Sequence, residues 1–124
     1  MYEYRDSIES KANGITYHLA ISSEWRAQKG GESYKPGVFD ADGFIHCTNG
    51  LDLLTEIANM FYKNSQEPRI VLVLNVNEVK ADVRYDDAEQ RFPHIYGALN
   101  PDAVIAELPV NRSEDGTFVS LGTQ

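Results

Sequence analysis

Cysteine is nearly absent from these 124 residues, with Cys47 the only one. A lone thiol excludes an internal disulfide framework and suits a reducing compartment. Long apolar runs are missing too: none approaches the roughly 18 residues that a membrane span needs. Residues 1–13 are polar and mixed in charge, without the apolar stretch of a secretory signal. A cytoplasmic location is therefore expected. Positive charge is the third scarcity, with 11 Lys and Arg against 19 Asp and Glu and a formal net charge of -8. Such a surface repels phosphate backbones and anionic bilayers, so neither nucleic acid nor a membrane is an expected partner. A small-molecule ligand stays open, because a few local cations outweigh a distant acidic face. None of these features sets the oligomeric state.

What is present suits one domain spanning 1–124, since 42% hydrophobic residues can fill one core of this size but not two. Residues 1–13 lack periodicity and read as a loosely ordered lead-in. From Ile15 the pattern alternates, with Ile15, Tyr17 and Leu19 on one face and Thr16, His18 and Ala20 on the other, a half-buried strand. Ser22 or Ser23 offers an N-cap to a short helix that Gly30 and Gly31 end. Residues 32–39, with Pro36 and Gly37, read as a loop. A second strand is expected over 44–48, placing Phe44, His46 and Thr48 on one face. Asn49 can cap the next helix, whose apolar stripe runs through Leu51, Leu54, Ile57, Ala58 and Phe61.

The continuous apolar run 70–74 predicts a central strand covered on both faces. A helical turn is expected over 75–80 and short strands over 83–85 and 92–97, where Pro93 restricts the latter to an edge or a strand end. Further strands follow over 103–110 and 117–121, with a turn at 112–116. The order predicts an α+β fold with a mixed, mostly antiparallel sheet.

Histidine carries most of the chemical interest. His18, His46 and His94 each fall in a strand-like segment, and the first two precede helix starts whose N–H groups suit an anion. The three are expected to line one pocket; the plain alternative is core histidines satisfied by backbone carbonyls. Zinc is disfavoured, because no HxH or HExxH pair fixes two ligands locally, so no metal site is expected. Adjacent strand residues point to opposite faces, so His46 is poorly placed to activate Cys47. Trp25, Tyr34, Phe44 and Tyr96 could wall a pocket or simply pack. Arg26, Arg84 and Arg91 are candidates for an anion, and Gly43 and Gly97 for tight turns beside it. The carboxylates Asp82, Asp86, Asp87 and Glu89 lack calcium-loop spacing and read as a solvated face.

Several of these strings occur together in one family. Thr16-Tyr17-His18-Leu19, then Trp25, Ala27, Gly31 and Tyr34, then Asp42-Gly43-Phe44-Ile45-His46-Cys47-Thr48, and finally Phe92-Pro93-His94-Ile95-Tyr96-Gly97 before Ala103-Val104 resemble the bacterial domain-of-unknown-function family 952. The resemblance spans roughly 15–109. It implies an ADP-ribosyltransferase-like fold, with small sheets around a cleft and helices alongside. In true members of that fold the cleft holds NAD, a first-strand His binds a ribose, a second-strand His or aromatic sits near the nicotinamide, and a third motif supplies a Glu. By position His18 resembles the first element and His46 the second. The third falls at His94 and Tyr96, where this sequence has no Glu, which counts against ordinary mono-ADP-ribosylation. RNA 2′-phosphotransferases share the fold, use NAD and also lack that Glu.

The resemblance thus implies a cleft for NAD or another nucleotide-like or phosphorylated small ligand. His46, His94 and Tyr96 are the expected catalytic residues, and His18, Thr48, Trp25, Arg26, Tyr34 and Gly43 the expected nucleotide-binding ones. A binding module without catalysis, or a protein-interaction domain using the loop 30–39, stands beside this reading.

Overall fold

A computed structural model describes residues 5–121. Its elements run α1 (Arg5–Ala12), β1 (Ile15–Ile21), α2 (Ser22–Gln28), α3 (Phe39–Asp42), β2 (Ile45–His46), α4 (Leu51–Phe61), β3 (Arg69–Asn75), β4 (Asp82–Tyr85), β5 (Pro93–Tyr96), β6 (Val104–Leu108), β7 (Val110–Arg112) and β8 (Phe118–Leu121). Short 3₁₀ turns lie at Val76–Glu78 and Pro101–Ala103. This is an α+β arrangement, and every strand pair in it is antiparallel.

The strands form three sheets, ordered β1-β3-β6, β2-β5-β4 and β7-β8. β3 is central in the first, as its unbroken apolar run requires. Its Leu72 and Leu74 join Ile45 and Ile95 of the second sheet, with Trp25, Tyr34 and Cys47, in one apolar cluster. Val71 points the other way, to Leu54, Ala58, Phe118 and Leu121. The first sheet is therefore a wall between two cores. Each fully buried Leu or Ile on it contributes about 1.5–3 kcal/mol.

Residues 5–12, read from sequence as part of a loosely ordered lead-in, form helix α1; residues 1–4 lie outside the described ones. The segment shows no apolar stripe because it docks through polar groups. Ser7 and Ser10 are buried, and Ser10 Oγ donates to the carbonyl of Ile15. The Asp6 carboxylate accepts the Asp52 backbone N–H at 2.8 Å. That bond caps α4 from another element, the task assigned by sequence to Asn49. The N-cap itself is Gly50, at φ 97°. Asn49 is instead buried and donates from Nδ2 to Tyr85 Oη at 2.9 Å. Nor does Ser22 or Ser23 cap α2, whose N-cap is Ile21 without a side-chain bond.

Two other segments depart from expectation. The loop 32–39 holds Tyr34, which exchanges backbone bonds of 2.8 and 2.9 Å with Leu99 and is fully buried. The second strand is only two residues long. Thr48 leaves it and pairs its backbone with Tyr17, at 3.1 and 2.8 Å, so its side chain turns inward, away from His46. Pro93 opens β5, the strand end where its missing N–H is tolerated.

Gly116 closes the β7–β8 hairpin at φ 95°, and a Cβ there would lie 2.3 Å from the Lys63 carbonyl oxygen. Left-handed backbone costs an L-residue about 1–2 kcal/mol before any clash. Gly116→Ala should therefore destabilise by about 2 kcal/mol or more. Urea unfolding checks this, with the midpoint falling at unchanged slope.

Candidate functional site

The second sheet has one apolar and one polar face, because side chains alternate along each strand. Ile45 pairs with Ile95, and Ile95 with Val83, on the inner face. The register then aligns His46, His94 and Arg84 in a row across the outer face. Tyr96 stands on that same face beside its partner Asp82.

Each of the two outer histidines has its own carboxylate. Asp42 ends α3, and Gly43 follows at φ 82°, the left-handed turn that lets the chain double back into β2. Four residues on, His46 Nε2 donates to Asp42 Oδ2 at 2.8 Å. Across the sheet, His94 Nδ1 donates to Asp86 Oδ2 at 2.9 Å. Tyr96 Oη donates to the same oxygen at 2.5 Å. These bonds hold the Asp86 carboxyl below the usual carboxylate range, the Tyr96 bond contributing most. The same bond raises the Tyr96 phenol above its ordinary value. A carboxylate acceptor places the proton on the bonded ring nitrogen, so each histidine keeps its second nitrogen as an acceptor when neutral. Neither His46 Nδ1 nor His94 Nε2 bonds to a described residue.

Phe44 packs this pair together. Its ring stacks on His94 at 3.9 Å and 12°, and lies 4.5 Å from His46 and 5.4 Å from Tyr96. The His46 and His94 centroids are 5.7 Å apart. The His46 side chain is 54% exposed and that of His94 18%. The result is an open aromatic face holding two oriented imidazoles.

His18 is not on it. Its ring is buried behind β2, at 5% exposure, with both nitrogens occupied. Nδ1 donates to the His46 carbonyl at 2.7 Å, and Nε2 accepts from Tyr34 Oη at 2.9 Å. Burial pushes its pKa down to about 4. His18 therefore braces the His46 backbone from inside, and the three histidines do not line one pocket. Tyr34, Trp25 and Thr48 share its fate. Trp25 stands edge-on to Tyr34 at 5.4 Å and donates its indole N–H to Glu107 at 3.0 Å. Arg26 is exposed on α2, on the Glu107 side rather than the histidine face. Cys47 is buried and its thiol pushed upward, which removes it as a nucleophile. Among the described residues no group of three metal-ligating side chains could hold an ion.

Sequence reasoning missed Asp42 and Asp86. The first was detectable from its i,i+4 spacing to His46 across a turn glycine. Asp86 was read as solvated surface, and only the β4–β5 register reveals that it reaches His94. Asp6 occupies the start of α4, and at the start of α2 the Ser22 N–H donates to Pro68 O at 2.9 Å. Two hollows lie elsewhere, about 440 Å³ along β6 and about 580 Å³ between α1 and residues 89–91, and no histidine lines either.

The fold and this face together define a small α+β domain of antiparallel sheets bearing paired His–Asp groups. The chain belongs to the family described as protein of unknown function (DUF952), whose match covers residues 19–107. It is similar to CC0527 from Caulobacter crescentus. The crystal structure of that protein matches with a TM-score of 0.70 at 24% identity, over 84% of this chain and 92% of that one. Its solution structure matches with a TM-score of 0.65 at 25% identity, over 83% and 90%. Both are structures of a structural-genomics target. No curated protein matches the chain. Among the described residues no helix is long and apolar enough to cross a membrane.

Proposed function

We propose that this domain is ADP-ribosyltransferase-like and binds NAD or a related nucleotide over the His46–His94 face. The observation that carries the reading is the side-by-side pair of histidines, each oriented by its own carboxylate and packed on Phe44. A flat ring can stack on the exposed edge of this cluster. A neutral imidazole held in one tautomer is suited to take or give a proton near neutral pH. Asp86 supplies a carboxylate beside His94 and Tyr96, where the third motif lacks its Glu. His18, Tyr34, Trp25 and Thr48 support the face from within rather than touching the ligand. The acidic surface favours a small ligand over nucleic acid, and the lone Cys47 suits the reducing cytoplasm.

Thermal-shift titration with NAD, ADP-ribose, nicotinamide and inorganic phosphate tests the reading, with His46→Ala alongside. A ligand at 100 times its Kd adds about 2.7 kcal/mol to stability. NAD or ADP-ribose should raise Tm in the native protein, and the rise should vanish in His46→Ala although its own Tm is nearly unchanged. No nucleotide effect in either protein would sink the proposal.

The openness of the face supports a second reading, binding without turnover. A histidine 54% exposed does not exclude water from a reacting centre. Saturable NAD binding without nicotinamide release would decide for it.

A further inference from the structure

Arg84 completes the cross-strand row but takes no part in the chemistry above. It is the one Lys or Arg among the strand residues of the second sheet. It sits directly beside His94 in the β4–β5 register. Its guanidinium carbon lies 4.8 Å from the centroid of the Tyr96 ring, and Nη2 donates to Asp82 Oδ2 at 3.1 Å. Asp82 and Arg84 are two residues apart on the same strand, with side chains 73% and 61% exposed. An ion pair so exposed, holding one bond, contributes little. It leaves the rest of the guanidinium fork, with its bidentate geometry for phosphate, facing solvent.

We propose that Arg84 is the specificity-determining residue for the anionic part of the ligand, exchanging Asp82 for a phosphate while its plane stays on Tyr96. The proposal rests on the reading of this face as a nucleotide site. With the ligand's ring against Phe44, His46 and His94, the adjacent position in the row falls to Arg84. The neighbouring carboxylates Asp42, Asp82 and Asp86 repel an anion everywhere else on the face. Arg84 therefore decides whether a phosphorylated ligand is tolerated at all. Asp42 and Asp86 are each engaged by a histidine N–H, whereas Asp82 must be displaced from Arg84.

Nicotinamide riboside, nicotinamide mononucleotide and NAD test this, since they share a ring and differ in phosphate. Affinities come from calorimetry, and contact with the site from ring ¹⁵N signals of His46 and His94. The native protein should bind the mononucleotide roughly tenfold more tightly than the riboside, with the ratio shrinking in high salt. In Arg84→Gln the ratio should fall to about unity while riboside affinity is unchanged; Arg84→Lys should keep part of it, lacking the fork. If Arg84→Gln preserves the full ratio and the histidine signals still respond, the role given to Arg84 is wrong and the nucleotide site stands. If none of the three compounds moves the His46 or His94 signals in the native protein, the site itself is wrong and Arg84 falls with it.

Discussion

Lowering the pH from 7 to 4 should remove on the order of 3 kcal/mol of folding stability through His18 alone. The folded-state pKa of His18 is about 4, against an ordinary 6.5, because burial penalises the charged ring. Above pH 6.5 the imidazole is neutral in both states and stability is at its full value. Between 6.5 and 4 the unfolded chain takes a proton that the folded one refuses, so each unit of acidification favours unfolding by up to about 1.4 kcal/mol. Below 4 both states are protonated and this source of loss is spent. The buried cation would also face a broken acceptor bond, since Nε2–H cannot accept from Tyr34 Oη. His18→Gln offers a neutral donor and acceptor and should flatten the pH dependence across this window. His18→Leu should instead lower stability at every pH, leaving the Tyr34 hydroxyl and the His46 carbonyl unpaired at about 1–3 kcal/mol each. Urea midpoints at pH 7, 6, 5 and 4 separate these cases. Equal slopes in the native protein and His18→Gln would show that His18 is not the acid-sensitive group.

That same residue shows where the sequence was legible and where it was not. The strand carrying His18, the helix α4 and the doubly buried run of β3 all follow from periodicity, a local property, although the α4 stripe is shifted: Phe61 is 66% exposed and Leu53 is buried with Leu54 and Ala58. The antiparallel α+β class follows from their order. What periodicity cannot give is which face of a strand meets another sheet. His18 and Ala20 alternate with Tyr17 and Leu19, yet both rows are covered, because β1 belongs to a wall with a core on each side. The polar-looking row was thus read as a pocket when it is interior. Thr48 was misplaced for a related reason: β2 pairs for two residues only, and the chain then crosses to Tyr17. Helix α1 was invisible because serines and a distant cap hold it, not an apolar stripe. His46 and His94 stand out in the sequence as residues, but the carboxylates they meet depend on a turn and a hairpin register. The finer fold likeness rests on motif resemblance, since relatives near 24% identity without a stated activity establish the shared fold alone.

Under the proposed NAD-using function, His94→Ala should lower the rate of nicotinamide release by about 10²- to 10⁴-fold, the usual contribution of a positioned acid or base. Asp86→Asn should come close to the same loss without removing the imidazole. An amide can donate as well as accept, so the ring is no longer held with its proton on Nδ1 and its acceptor outward. The native carboxylate is well matched to this task. Its two bonds, from Tyr96 and His94, hold it below the usual range, so it stays ionised at neutral pH. Tyr96→Phe removes the larger of those two influences but leaves His94 bonded, and should cost only a few-fold in rate. Asp86→Asn and Tyr96→Phe separate orientation from mere packing, because both keep the His94 ring stacked on Phe44. In Asp86→Asn and Tyr96→Phe the losses should appear in kcat with KM little changed, since the stacking rings and Arg84 are kept. Should Asp86→Asn bind NAD normally and release nicotinamide at the native rate, the His94–Asp86 pair is no acid–base unit. Should the native protein bind NAD yet release nothing, the pair orients a ligand without transforming it. The open, half-exposed position of His46 would then be explained as that of a sensor rather than an enzyme.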